Sequence, residues 1–180
     1  MLLDVEESQL VLVDLQPRLQ AAMHDAASVW ANATRLTQAA GLLDVPVWGT
    51  EQNPSKLGAM PPELRDACQR VLAKMQFSAV EEGLGEWLIP PPAAPRGNAR
   101  SLPRHLQKAV PAPARNTLVV AGCEAHVCLL QTALGLLEEE FDVWVVTDAC
   151  GSRTERNRDA AFDRLAAAGA ELLTTEMVAF

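Results

Sequence analysis

Residues 117–148 read TLVVAGCEAHVCLLQTALGLLEEEFDVWVVTD. The run Thr117–Ala121 is apolar at nearly every position and ends at Gly122. A helix-length segment follows, Ala125–Glu140, apolar early and acidic late. A second apolar run, Val143–Thr147, ends at Asp148. A strand that is apolar on both faces must be covered on both faces, which is the situation of a parallel strand between two helix layers. Strand, helix and strand in this order make one βαβ unit.

The same alternation extends to both sides. Gln9–Val13 is a near-continuous apolar run ending at Asp14. Val45–Thr50 is a second run, Arg70–Ala73 a third that ends at Lys74, and Glu171–Leu173 a weak last one. Ala27–Leu43 has helical periodicity. Thr154–Ala168 opens with a capping Thr and an acid at Glu155 and stops before Gly169. The expected fold is α/β: a three-layer α/β/α sandwich around a mostly parallel, roughly six-stranded, Rossmann-like sheet. Pro90–Asn98 carries four prolines in nine residues and reads as an exposed loop, not as helix or central strand. With 180 residues, and its last strands needed to complete the sheet, the chain reads as a single domain over 1–180.

Composition narrows the function. Hydrophobic residues make up 49% and charged residues 21%, as in soluble globular proteins, and the net charge is −8. Phosphate binding needs a basic patch, so nucleic acid is not an expected partner. The first residues carry acids where a leader would carry a basic flank, and no apolar run approaches the ~18 residues of a membrane span. No membrane partner is expected, and the location reads as cytoplasmic. The four cysteines, Cys68, Cys123, Cys128 and Cys150, form no CxxC pair, and no His stands at zinc-like spacing. They read as free thiols.

Ligands of open α/β sheets bind at the carboxyl ends of the strands. Asp14 and Lys74 end two strands, and Cys128 lies one turn-length segment beyond another. A place near a helix start lowers a thiol's pKa through unpaired N–H groups and the helix dipole. Each residue also has a plainer reading. Asp14 could be a turn residue, Lys74 a solvated surface cation and Cys128 core filler. Asp148 reads best as a turn or cap ahead of the last long helix. His24, His105 and His126 are scattered. Spacing alone leaves an α/β domain whose activity is open.

Longer motifs go further. Leu118–Leu134, with its apolar strand, Gly122, Cys128 and Thr132-Ala133, resembles the nucleophile motif of isochorismatase-like cysteine hydrolases. Val11–Gln16 resembles that family's first strand with its Asp-x-Gln. Lys74–Ser78 resembles its Lys-x-x-Phe/Tyr-Ser segment. Val145–Arg153 and Glu171–Phe180 are similar to its closing strands. Thr50–Pro54 with Leu57-Gly58 is similar to the subgroup of YcaC-type and isochorismatase domain-containing proteins. Three motifs in the right order are specific where one is weak.

The resemblance implies a catalytic set of Asp14, Lys74 and Cys128, and a cis peptide at Cys123–Glu124. It also implies an oxyanion hole from the backbone amides of Glu124 and Cys128. Pocket candidates are Gln16, Leu19, Gln52, Phe77 and His126. Nicotinamidases carry an Asp-x-His metal cluster, but here no histidine stands between His24 and His105. No metal and no cofactor are therefore expected. The implied activity is amide or ureido C–N hydrolysis of a small molecule through a thioester, in a homo-oligomer, dimer or larger. Two alternatives stand beside it. One is vinyl-ether hydrolysis with Asp14 as acid and no thiol chemistry. The other is a non-catalytic oligomeric scaffold that keeps the triad.

Overall fold

The structure, a computed structural model, describes residues 2–89 and 115–180. The Pro-rich segment Pro90–Asn98 and His105 lie outside the described residues. The strands are β1 (Ser8–Val13), β2 (Val47–Gln52), β3 (Arg70–Lys74), β4 (Thr117–Cys123), β5 (Asp142–Gly151) and β6 (Glu171–Leu173). They form one sheet in the order β3-β2-β1-β4-β5-β6, with every neighbouring pair parallel. The helices are α1 (Pro17–Gln20), α2 (Ala26–Leu42), α3 (Pro54–Leu57), α4 (Pro62–Arg65), α5 (Leu84–Leu88), α6 (Leu130–Glu138), α7 (Glu155–Ala167) and α8 (Thr175–Ala179).

Side chains alternate across a strand, and the core divides accordingly. Leu10 and Leu12 of β1 pack with Val29, Ala33 and Leu36 of α2. Val11 and Val13 pack on the other face with Leu84 of α5, Leu136 of α6 and Leu165 of α7. All six residues of β1 are buried and Leu10–Val13 are apolar, so the central strand is covered on both sides as its sequence requires. The expected three-layer sandwich is the fold. No described helix is long and apolar enough to cross a membrane.

Two details differ from the sequence reading. First, β5 runs on to Gly151, because an irregularity in its pairing with β4 realigns Cys150 with Gly122. Asp148 therefore lies inside the strand, not ahead of α7. Its Oδ1 accepts from the backbone N–H of Thr175 at 2.8 Å and from Thr175 Oγ1 at 2.9 Å, so it caps α8. Thr154 is the cap of α7, accepting from Asn157 N at 3.2 Å. Second, the helix after β4 begins as a π-turn, Ala125–Leu129, before α6.

Strand order reverses between β1 and β4, and in such sheets the crevice lies outside the carboxyl ends at that point. Gly122 sits opposite Val13 there, with φ +137°. A Cβ on residue 122 would collide with the Val13 backbone. Gly122→Ala is expected to lower stability by at least about 3 kcal/mol or prevent folding, because backbone atoms cannot move aside as a side-chain tip can. Thermal unfolding of the purified variant tests this, and a native melting temperature contradicts it.

Candidate active site

Asp14 leaves β1 in the left-handed region, with φ 49°. Asp is among the few residues with a side chain that tolerate this region, and such positions gather at functional sites. The turn aims the carboxylate back under the carboxyl end of the sheet. Thr50, next to Val13 in the register of β2, donates its Oγ1–H to Asp14 Oδ1 at 2.7 Å. The other oxygen, Oδ2, lies 2.9 Å from Lys74 Nζ, and both side chains are fully buried. Neither charge is tolerable alone at that depth; paired and hydrogen-bonded, both are.

The ammonium has three N–H groups. Gln52 Oε1 at 2.6 Å, Phe77 O at 3.0 Å and Gln76 O at 3.2 Å accept from it. Gln52 stands directly opposite Lys74 in the β2–β3 register, which explains the first contact. Asp14 Oδ2 is thus paired by charge yet left without a well-aligned donor.

Cys128 sits in the π-turn, 5% exposed. Such turns are frequent at functional sites. Its Sγ–H points to Gln52 Oε1, at 3.9 Å, the same oxygen that holds Lys74. Burial pushes the thiol up to about 12, the Asp14 charge pushes the same way, and Lys74 and the Glu124 backbone hydrogen bond pull it down. This corrects the expectation of a depressed thiol pKa. A helix start alone does not outweigh loss of water and a facing carboxylate. At rest the sulfur is an S–H.

The Cys123–Glu124 peptide is cis. The Glu124 side chain is buried, accepts from Arg153 Nε at 2.8 Å and has His126 Nε2 at 3.7 Å. His126 Nδ1 in turn is 3.0 Å from Ser152 Oγ. These contacts tie the segment before Cys128 to the end of β5. His126 is half-buried beside that segment.

The other pocket candidates fare differently. Gln16 is fully buried and acts as a clamp: its Nε2 donates to Gln52 O and Gly58 O, and its Oε1 accepts from Gln52 N at 2.8 Å. It holds Gln52 in place. Phe77 contributes its carbonyl, while its side chain is half exposed. Leu19 is half-buried on α1. Sequence reasoning gave no role to Thr50, to the Glu124 side chain, or to Ser152 and Arg153. Thr50 and Gln52, two apart at a strand end and so on one face, were the available signal for the first.

Fold and site together define a class: a doubly wound α/β protein with carboxylate, ammonium and thiol gathered at the carboxyl ends of its strands. The isochorismatase domain matches residues 99–177. The isochorismatase domain-containing protein 2 of Rattus norvegicus is 34% identical over 171 residues, covering 95% of this chain and 71% of that protein. The chain belongs to the isochorismatase-like hydrolase family. Among solved structures, the MAR1 ribonuclease of Caenorhabditis elegans is 28% identical, with TM-score 0.79 over 98% of this chain and 81% of that one. The Escherichia coli YcaC product, described as an octameric hydrolase of unknown specificity, is 27% identical, with TM-score 0.81 over 99% and 80%. Pseudomonas aeruginosa YcaC, described with hexane-2,5-diol and covalent acrylamide, is also 27% identical, with TM-score 0.78 over 98% and 80%.

Proposed function

We propose that this protein is a cysteine hydrolase that cleaves an amide or ureido C–N bond of a small molecule through a thioester on Cys128. The observation that carries the reading is the buried Asp14–Lys74 pair, with Asp14 Oδ2 left without a hydrogen-bond donor and its charge acting on the Cys128 thiol. With burial and the Asp14 charge pushing the thiol up to about 12, a preformed thiolate is rare at neutral pH. Asp14 therefore takes the proton as the sulfur attacks the carbonyl carbon. The backbone amides of Glu124 and Cys128 receive the oxyanion; each such donor typically lowers the barrier by ~3 kcal/mol. Asp14 returns the proton to the leaving amine as the C–N bond breaks. It then takes a proton from water as the water attacks the thioester, and passes that proton to the departing sulfur, freeing the acid and the thiol. Lys74 supplies the positive charge throughout, so the scheme needs no metal or cofactor.

Covalent acrylamide on a YcaC relative supports a reactive nucleophile in this fold, since acrylamide adds to thiols. The octameric assembly given for another YcaC supports a homo-oligomer here. The ribonuclease name of the nematode neighbour belongs to that protein; the net charge of −8 argues against RNA as substrate for this one. The vinyl-ether alternative draws on one observation, the high thiol pKa, and expects turnover to survive thiol alkylation. A panel of small amides and ureido acids, read by product release and by the intact mass of the quenched protein, separates the two. The expected result is an acyl adduct on Cys128 that hydroxylamine removes. Turnover with no adduct and no sensitivity to alkylation overturns the thiol mechanism.

A further inference from the structure

We propose that Glu82 is a positioning residue for Lys74, acting through the tight loop 75–77. The inference rests on the cysteine reading above and adds a residue to its machinery. Lys74 ends β3, and the next three residues turn sharply so that the Gln76 and Phe77 carbonyls point back at its Nζ. A loop that turns two carbonyls inward leaves amides facing outward, and these need acceptors. Glu82 provides them: its Oε1 accepts from Met75 N at 2.7 Å and from Gln76 N at 2.8 Å. Gln52 secures the remaining corner, donating its Nε2–H to Met75 O at 2.9 Å while its Oε1 holds Nζ.

The three-residue loop is thereby clamped between opposite charges. A carboxylate draws on its N–H groups from one side and an ammonium on its C=O groups from the other, so each contact polarises and strengthens the next. The plainer roles of a surface Glu do not account for this. Glu82 closes the 3-10 turn Val80–Glu82, so it is not that turn's N-terminal cap, and among the described residues it makes no ion pair. The carboxyl is held below its ordinary range, first by these two amide hydrogen bonds and then by the Lys74 charge, as expected of a group coupled to the loop and the cation. Glu82 lies eight positions beyond Lys74, and nothing in the sequence pattern joins them.

The test uses acrylamide as probe and the rate of adduct formation at Cys128, followed by peptide mapping from about pH 6 to 9. Glu82→Ala is expected to slow the adduct about tenfold, the equivalent of one unit in thiol ionisation. Glu82→Gln is expected to recover most of the loss, because an amide oxygen can accept from both N–H groups. In a Lys74→Met background, Glu82→Ala is expected to change the rate by less than about twofold, since the route of its effect is gone. Thermal unfolding accompanies each variant, and Glu82→Ser reads out the same loss if the alanine variant does not fold. A native rate for Glu82→Ala alongside a slow Lys74→Met overturns this proposal alone, as does an effect that persists undiminished without Lys74. A native rate for Lys74→Met overturns the cysteine reading and this inference with it.

Discussion

Cys128→Ala is expected to lower turnover on a cleaved amide at least about 10³-fold, with a melting temperature within a few degrees of the native protein. The first half follows from the bond the sulfur makes. Alanine leaves Asp14, Lys74 and the amides of the π-turn in place, so binding and part of the electrostatic stabilisation survive while the covalent step does not. The second half follows from size. Removing one sulfur opens only a small void in a core that Leu129, Ala133 and Val120 keep closed on that side. Alkylation of the native protein gives an independent check with a definite sign. Because burial and the Asp14 charge push the thiol up to about 12, its direct reaction with iodoacetamide should accelerate steadily with rising pH through the neutral and mildly alkaline range. A reactive thiolate already complete at pH 7 contradicts the arrangement described. Full turnover in Cys128→Ala contradicts the mechanism.

Breaking the buried pair acts on the fold as well as on the chemistry. Lys74→Met is expected to destabilise by about 3–5 kcal/mol, since it strands a buried carboxylate that Thr50 alone still hydrogen-bonds. The double change Asp14→Leu with Lys74→Met removes both charges together. Burial of an ion pair is close to neutral against apolar replacement, so the double variant should regain roughly half of that loss. It should not regain all of it. The Gln52 side chain and the Gln76 and Phe77 carbonyls lose their shared donor, and each unsatisfied acceptor costs about 1–3 kcal/mol unless water enters. Turnover should be absent in both variants. Urea unfolding gives the stabilities, and a Lys74→Met variant as stable as the native protein means that the pair is not buried as placed.

The particular residues show what kind of information lay in the chain. The run Gln9–Val13 is apolar on both faces, which is a local property, and local alternation is enough to make it a central parallel strand. Thr154 and Gly169 bound α7 for equally local reasons. Gln16 was legible as a polar residue near a strand end but not as a clamp, because its partners, Gln52 and Gly58, come from chain some forty residues away. Asp148 was misplaced because its partner, Thr175, lies beyond α7, and no local cue marks the irregular pairing of β5.

Cys128 shows the limit most plainly. Its neighbours in sequence point to a helix start and hence to an acidic thiol. Its neighbours in space, a carboxylate and a closed apolar wall, decide the opposite.

Sequence by itself determined the α/β class, the parallel sheet and that Asp14 and Lys74 end strands, since hydrophobic period and turn chemistry act over a few residues. Only the tertiary structure decided that Asp14 Oδ2 is left free, that Lys74 directs its three N–H groups elsewhere and that the thiol rests protonated. Those facts depend on strand register and on water being shut out, and both are set by residues far apart in the chain.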